Sequence, residues 1–192
     1  TCTAGRPGGC SLREGFRAIH RTPELLVSSG IFEEESDGVL VTTFAYRACG
    51  PGTGGDPLIF TDYSSFGGGH RLASFRREGR NVAFEAATSN RDLVDHHLAV
   101  VDLRTGAKRT FFVWAWPRAD HEWVLLPEGS VAWIEHFWSI DTGDTVFDRV
   151  MLGAPDGTAA ELDRAGEDQL TGLRAEGSTL RWSHTGEPRS FP

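Results

Sequence analysis

The 192-residue sequence holds one lysine, Lys108, among its nineteen basic residues, and no run of about twenty apolar residues. The second absence excludes a membrane-spanning helix. Positive charge comes from scattered arginines and is outweighed by twenty-seven acidic residues, for a formal charge of −8. Phosphate recognition needs concentrated positive charge, so nucleic acid is not an expected partner. Glycine is plentiful but does not recur at every third position, which excludes a collagen-like helix. Long polar low-complexity tracts are missing, and the 39% hydrophobic fraction is that of a folded domain. No stretch combines helical periodicity with capping signals, so helix content is expected to be close to nil. The marks of common catalysts are also missing. There is no Gly-x-Ser-x-Gly elbow, no His-Glu-x-x-His, no phosphate-cradling loop ending in Lys-Ser or Lys-Thr, and no complete Ca²⁺ loop.

What is present is a recurring word. Leu126-Pro127-Glu128-Gly129-Ser130-Val131-Ala132-Trp133 reads as a strand end, an acidic-Gly turn and a second strand carrying a large aromatic. Similar text stands at Arg77–Phe84 and Ala175–Trp182, with a weaker copy at Ser36–Phe44. The marker glycines Gly38, Gly79, Gly129 and Gly177 are 41, 50 and 48 residues apart. Short Val-, Thr-, Phe- and Trp-rich runs between these turns read as antiparallel strands joined by two to five residues. A period in the forties with up to four strands per repeat is the pattern of a β-propeller blade.

Thr1–Ser11 is a Gly-, Pro- and Cys-rich lead-in to a single domain over residues 1–192, with expected strands following at Phe16–His20, Glu24–Ser28, Val39–Ala48 and Pro57–Thr61. Glu33-Glu34-Glu35 reads as a solvated acidic loop. The next units are Leu72–Arg76, Asn81–Ala87, His97–Leu103 and Lys108–Trp114, and then Trp123–Leu126, Val131–His136, Val146–Leu152 and Thr158–Leu162. A fourth unit has three strands, Leu170–Arg174, Thr179–His184 and Glu187–Phe191. That leaves an edge. Phe16–His20 is the unclaimed strand, and it is expected beside Glu187–Phe191 as the closing strand of a four-bladed ring. The alternatives are a β-sandwich or an open stack of sheets.

The words Asp102-Leu103-Arg104-Thr105-Gly106 and Glu128-Gly129-Ser130-Val131-Ala132-Trp133 resemble those of TolB-type and WD-repeat-like propellers of secreted bacterial proteins. The resemblance spans roughly Val39 to Pro192. It implies a propeller fold and a secreted or cell-envelope location, and rests on hairpin words rather than on chemistry. Four units instead of six or seven depart from that family, and a fragment of a larger propeller is a further alternative.

The three cysteines, Cys2, Cys10 and Cys49, lack metal-finger spacing. A Cys10–Cys49 bridge would tie the lead-in to a strand end; three free thiols, or a lipidated Cys2, are the alternatives. A chain beginning at Thr1 fits a removed secretory signal or a trimmed cytosolic protein.

Two His-carboxylate clusters, Asp92/Asp95/His96/His97 and Asp120/His121/Glu122, have ligand types suited to Zn²⁺ if their loops converge. Adjacent His96 and His97 would point to opposite faces of a strand, and a polar loop is the simpler reading. No metal or cofactor is therefore assigned. His136 and His184 end equivalent strands and are expected to hydrogen-bond neighbouring turns. Phe84, Trp133 and Trp182 are expected in the core. Trp114, Trp116 and Trp138 lie nearer strand ends, where the readings are core or rim packing, which is favoured, and stacking on a sugar or peptide. These readings give a non-catalytic binding or scaffold module, secreted or in the cell envelope, monomeric if its ring closes. An unidentified protein or glycan would meet Trp138, His121, His97 and Trp116. The alternative is a glycan-acting hydrolase using carboxylates from different blades.

Overall fold

The computed structural model describes residues 10–36, 39–53, 56–64, 69–90, 93–113, 122–138 and 145–192. Among them there are fifteen strands and no helix. The first sheet is β1 (Phe16–Arg21), β2 (Leu26–Ser36), β3 (Val39–Cys49) and β4 (Leu58–Ser64). The second is β5 (Gly69–Glu78), β6 (Asn81–Asn90), β7 (Leu93–Asp102) and β8 (Lys108–Val113). The third is β9 (Trp123–Leu125), β10 (Val131–Trp138), β11 (Thr145–Gly153) and β12 (Ala159–Ala165), and the fourth is β13 (Leu170–Glu176), β14 (Thr179–His184) and β15 (Glu187–Phe191). All four sheets are antiparallel, and within each the strands lie side by side in chain order. Among the described residues no helix is long and apolar enough to cross a membrane.

The recurring word is a hairpin device. Gly79 and Gly177 have φ of +56° and +64° in two-residue turns, a conformation L-residues adopt at a cost. Gly129 serves a wider loop closed by Leu126 N–H to Ser130 C=O at 2.9 Å. The aromatics that follow are buried as expected: Phe84 is 0% exposed, Trp133 1% and Trp182 6%.

Three expectations are corrected. Phe16–His20 does not lie beside Glu187–Phe191: β1 pairs with β2, and the fourth sheet keeps three strands. A local hairpin turn explains this, since Thr22 N–H donates to Leu25 C=O at 2.8 Å and Thr22 Oγ1 accepts from Leu25 N–H at 3.0 Å. Closing so short a loop costs far less entropy than pairing the chain's two ends. Glu33–Glu35 is not a loop but the end of β2, opposite Thr42, Val41 and Leu40 of β3. There its peptide groups are met by a ladder of good strand formers. Finally, Gly38 lies outside the described residues, but in sequence it stands between β2 and β3, the second and third strands of the first sheet, whereas Gly79, Gly129 and Gly177 follow the first strand of theirs. The weak fourth copy is therefore out of register, because β1 belongs to the first sheet and its equivalent turn, Thr22–Leu25, carries no glycine.

The chain divides into two compact units, Thr1–Val94 with Val101–Lys108, and Asp95–Val100 with Arg109–Pro192. In the first, a file of rings runs Tyr46, Phe60, Phe84, Phe75 and His20, with centroid separations from 5.3 to 6.5 Å. Arg77 fastens the same unit, donating to the carbonyls of Glu24, Pro51 and Gly79. A Cβ at Gly50 would sit 2.5 Å from the Arg77 guanidinium, so the absent side chain is what admits it. The lead-in is joined here by the Cys10–Cys49 disulfide, as expected from the sequence.

In the second unit the third and fourth sheets share a core. Val124, Leu126, Ala132, Ile134 and Val150 pack against Leu170, Leu173, Leu180 and Trp182. The Glu122 carboxylate accepts from Leu173 N–H at 2.7 Å, a tie across 51 residues.

A relation recurs through both units. Phe84 of the second sheet meets Phe60 on β4, Trp133 of the third meets Phe111 on β8, and Trp182 of the fourth bonds Asp163 on β12. Each marker aromatic thus touches the last strand of the sheet before it.

Candidate functional site

The residues singled out from the sequence fare unevenly. Trp116 and His121 lie outside the described residues, as do Trp114, Asp92 and Asp120. His97 stands on β7 with its ring edge-on to Phe112 at 5.5 Å. Trp138 ends β10, its backbone paired with Thr145 beyond a bulge after Phe137. Among the described residues no three His, Cys, Asp or Glu side chains converge to hold a metal.

Two residues beyond notice in the sequence, Asp148 and Asp163, organise the polar end of the second unit. Hairpin register places His136 of β10 opposite Asp148 of β11, and His136 Nδ1 lies 2.6 Å from Asp148 Oδ1. Asp148 is fully buried, and its Oδ2 has no hydrogen-bond partner among the described residues. On β12, Asp163 receives the Trp182 indole N–H at 2.7 Å and His184 Nδ1 at 2.9 Å, both from β14. Register also sets the two aspartates near each other: Asp163 pairs with Val150, two positions along β11 from Asp148. The histidines therefore hydrogen-bond carboxylates rather than turns, His136 on the neighbouring strand and His184 across to the third sheet.

Electrostatics favour the charged form of Asp163. Burial raises its pKa, but the Trp182 indole, His184, the Arg164 backbone N–H and the His184 charge together hold it below the ordinary aspartate value. In each pair Nδ1 faces the carboxylate, while Nε2 makes no hydrogen bond among the described residues. The side chains of His136 and His184 are 18% and 25% exposed, enough for solvent or a ligand to reach a ring edge. Such a pair can donate or accept at Nε2 in an orientation that its aspartate fixes.

Around the opposite face of the third sheet, Arg149 bonds the buried Glu135 and lies 4.5 Å over Phe137. Phe137 stacks on Phe147 at 4.6 Å, and Arg164 caps Phe147 at 4.4 Å. Both rings are thereby occupied on their outer faces, which makes this cluster a closed structural stack rather than an open platform for a ligand.

The sequence could have yielded Asp148, because fixing the Val131–Gly153 hairpin register puts it opposite His136. Asp163 could not be found that way, since its partners come from another sheet.

No protein-family model, no curated protein and no solved structure matches the chain.

Proposed function

We propose that this chain is a β-propeller-type module of the secreted TolB or WD-repeat-like kind, acting by binding a protein or glycan in the cell envelope rather than by catalysis. The recurring contact of each marker aromatic with the last strand of the preceding sheet supports blade-like stacking. The disulfide fits an oxidising compartment.

One observation carries the binding reading. The end of the third and fourth sheets offers two oriented, partly exposed imidazoles, His136 and His184, with Trp138 two residues beyond His136. Oriented polar groups of this kind suit recognition of a sugar or peptide surface. His97, Trp116 and His121 are the further contacts in this proposal. The hydrolase alternative needs accessible carboxylates, whereas Glu135, Asp148 and Asp163 are held by Arg149, His136 and the Trp182–His184 pair.

The test is capture of envelope proteins and glycan fragments on the immobilised chain, followed by titration of the captured partner. Trp138→Ala and His121→Ala are expected to weaken it by about tenfold or more, the scale of a lost aromatic anchor. Unchanged affinity in both variants would remove the site from this end of the molecule.

A further inference from the structure

Beside the disulfide, in the first unit, lies a cavity of about 420 Å³ lined by Cys10, Cys49, Arg21, Pro23, Leu26 and Pro51, among others. Its walls are polar and apolar in nearly equal measure, and its volume is ample for a tripeptide-sized solute to enter. The two cysteines are unequally reachable. Cys49 is 2% exposed, whereas Cys10 is half-buried. Arg21 is exposed and forms no ion pair or hydrogen bond among the described residues, unlike Arg13 and Arg77, which are committed to Asp56 and to backbone carbonyls. The Arg77 guanidinium also abuts Gly50, the residue next to Cys49. A chain of formal charge −8 therefore presents local positive charge at a cavity that borders its disulfide.

We propose that Cys10–Cys49 is a site of thiol–disulfide exchange with a small anionic thiol of the glutathione class, drawn in by Arg21. The incoming thiolate attacks Cys10 Sγ, the more accessible sulfur. A new S–S bond forms on Cys10 as the Cys10–Cys49 bond breaks, and Cys49 departs as a thiolate that takes a proton from solvent. Positive charge near the leaving sulfur favours the thiolate and so speeds its departure. A second thiolate then displaces Cys10, leaving two protein thiols and one small-molecule disulfide: the small thiol is oxidised and the bridge reduced. The outcome is a releasable latch between the lead-in and the end of β3. This rests on the first unit alone and is independent of the binding proposal.

The experiment uses the full chain with Cys2→Ser, so that only the bridge exchanges. Rates are measured with glutathione, which is anionic, and with cysteamine, a cationic thiol, with acid quench and peptide mapping of the adduct. The expected adduct is on Cys10, and Arg21→Gln should slow glutathione about three- to tenfold, the Coulomb effect of one nearby charge in a partly aqueous setting, without slowing cysteamine. Circular dichroism checks that the variant keeps the parent fold. Three results would overturn the proposal: adduct on Cys49, equal effects of Arg21→Gln on both thiols, or exchange that tracks global unfolding in denaturant.

Discussion

The indole N–H of Trp182 donates to Asp163 Oδ2 at 2.7 Å, joining β14 to β12 across two sheets. Because the fold holds the Asp163 pKa below its unfolded value, this carboxylate contributes stability that is present above the ordinary aspartate range, near pH 3.9, and is lost as the pH falls through the lower folded value. Asp102 behaves likewise in the first unit: burial raises its pKa, but the N–H groups of Arg104 and Thr105 and the Arg80 charge bring it below normal. Urea unfolding should therefore show an acid limb below about pH 4. In Asp163→Asn that limb should be shallower, and the stability gap to the parent widest near pH 7 and closing toward pH 3. A gap that stayed constant with pH would mean that the aspartate charge is not what the fold stabilises.

Trp133 and Trp182 occupy matching places but differ in one atom's fate. The Trp133 Nε1 is buried and makes no hydrogen bond among the described residues, while the Trp182 Nε1 has Asp163. Phenylalanine already serves at the matching Phe84. Trp133→Phe removes an orphan donor along with some volume, and the two effects oppose each other. It should cost less than about 1 kcal/mol. Trp182→Phe leaves a carboxylate short of a charge-assisted bond and should cost about 2–3 kcal/mol. Denaturant midpoints with unchanged slope measure both, and equal losses would refute the distinction.

The same contrast shows where the sequence was legible. Turn glycines and the aromatics after them are local signals, and they located the hairpins of the second, third and fourth sheets. In the first sheet all four strands are legible, but the partner of β1 and the extent of β2 are not, because the turn between them is built from Thr22 and Pro23, with no glycine to mark it, and because three consecutive glutamates look like a loop when their pairing partners on β3 are ignored. Cys10 and Cys49 were paired correctly because both flank the segment they tie. The polar end of the second unit was largely invisible. His136 and His184 stood out by position, but Asp163 meets its partners only through packing of separate sheets, which no spacing encodes.

The disulfide closes a loop with a sequence separation of 39 residues. Chain entropy assigns such a bridge about 4 kcal/mol at 25 °C. Reduction, or Cys10→Ser with Cys49→Ser, should lower the urea unfolding free energy by up to that amount while leaving the far-ultraviolet spectrum strand-like. A loss under about 1 kcal/mol would mean that the reduced, unfolded chain already holds the lead-in close, or that the folded bridge is strained.

Gly153 gives the sharpest packing test. A Cβ there would stand 2.6 Å from the ring of Phe111, which itself lies 5.7 Å from Trp133, centroid to centroid. The ring is boxed in by buried neighbours, so it has little room to yield, and Gly153→Ala should cost about 1–3 kcal/mol by overpacking. Phe111→Leu alone should cost a similar amount by losing ring contacts. Leucine, however, vacates the volume that the new methyl needs. The double variant should therefore be more stable than the sum of the single losses predicts, with a coupling of about 1 kcal/mol or more. Strict additivity in that cycle would show that the glycine is required by its backbone, not by the approach of Phe111.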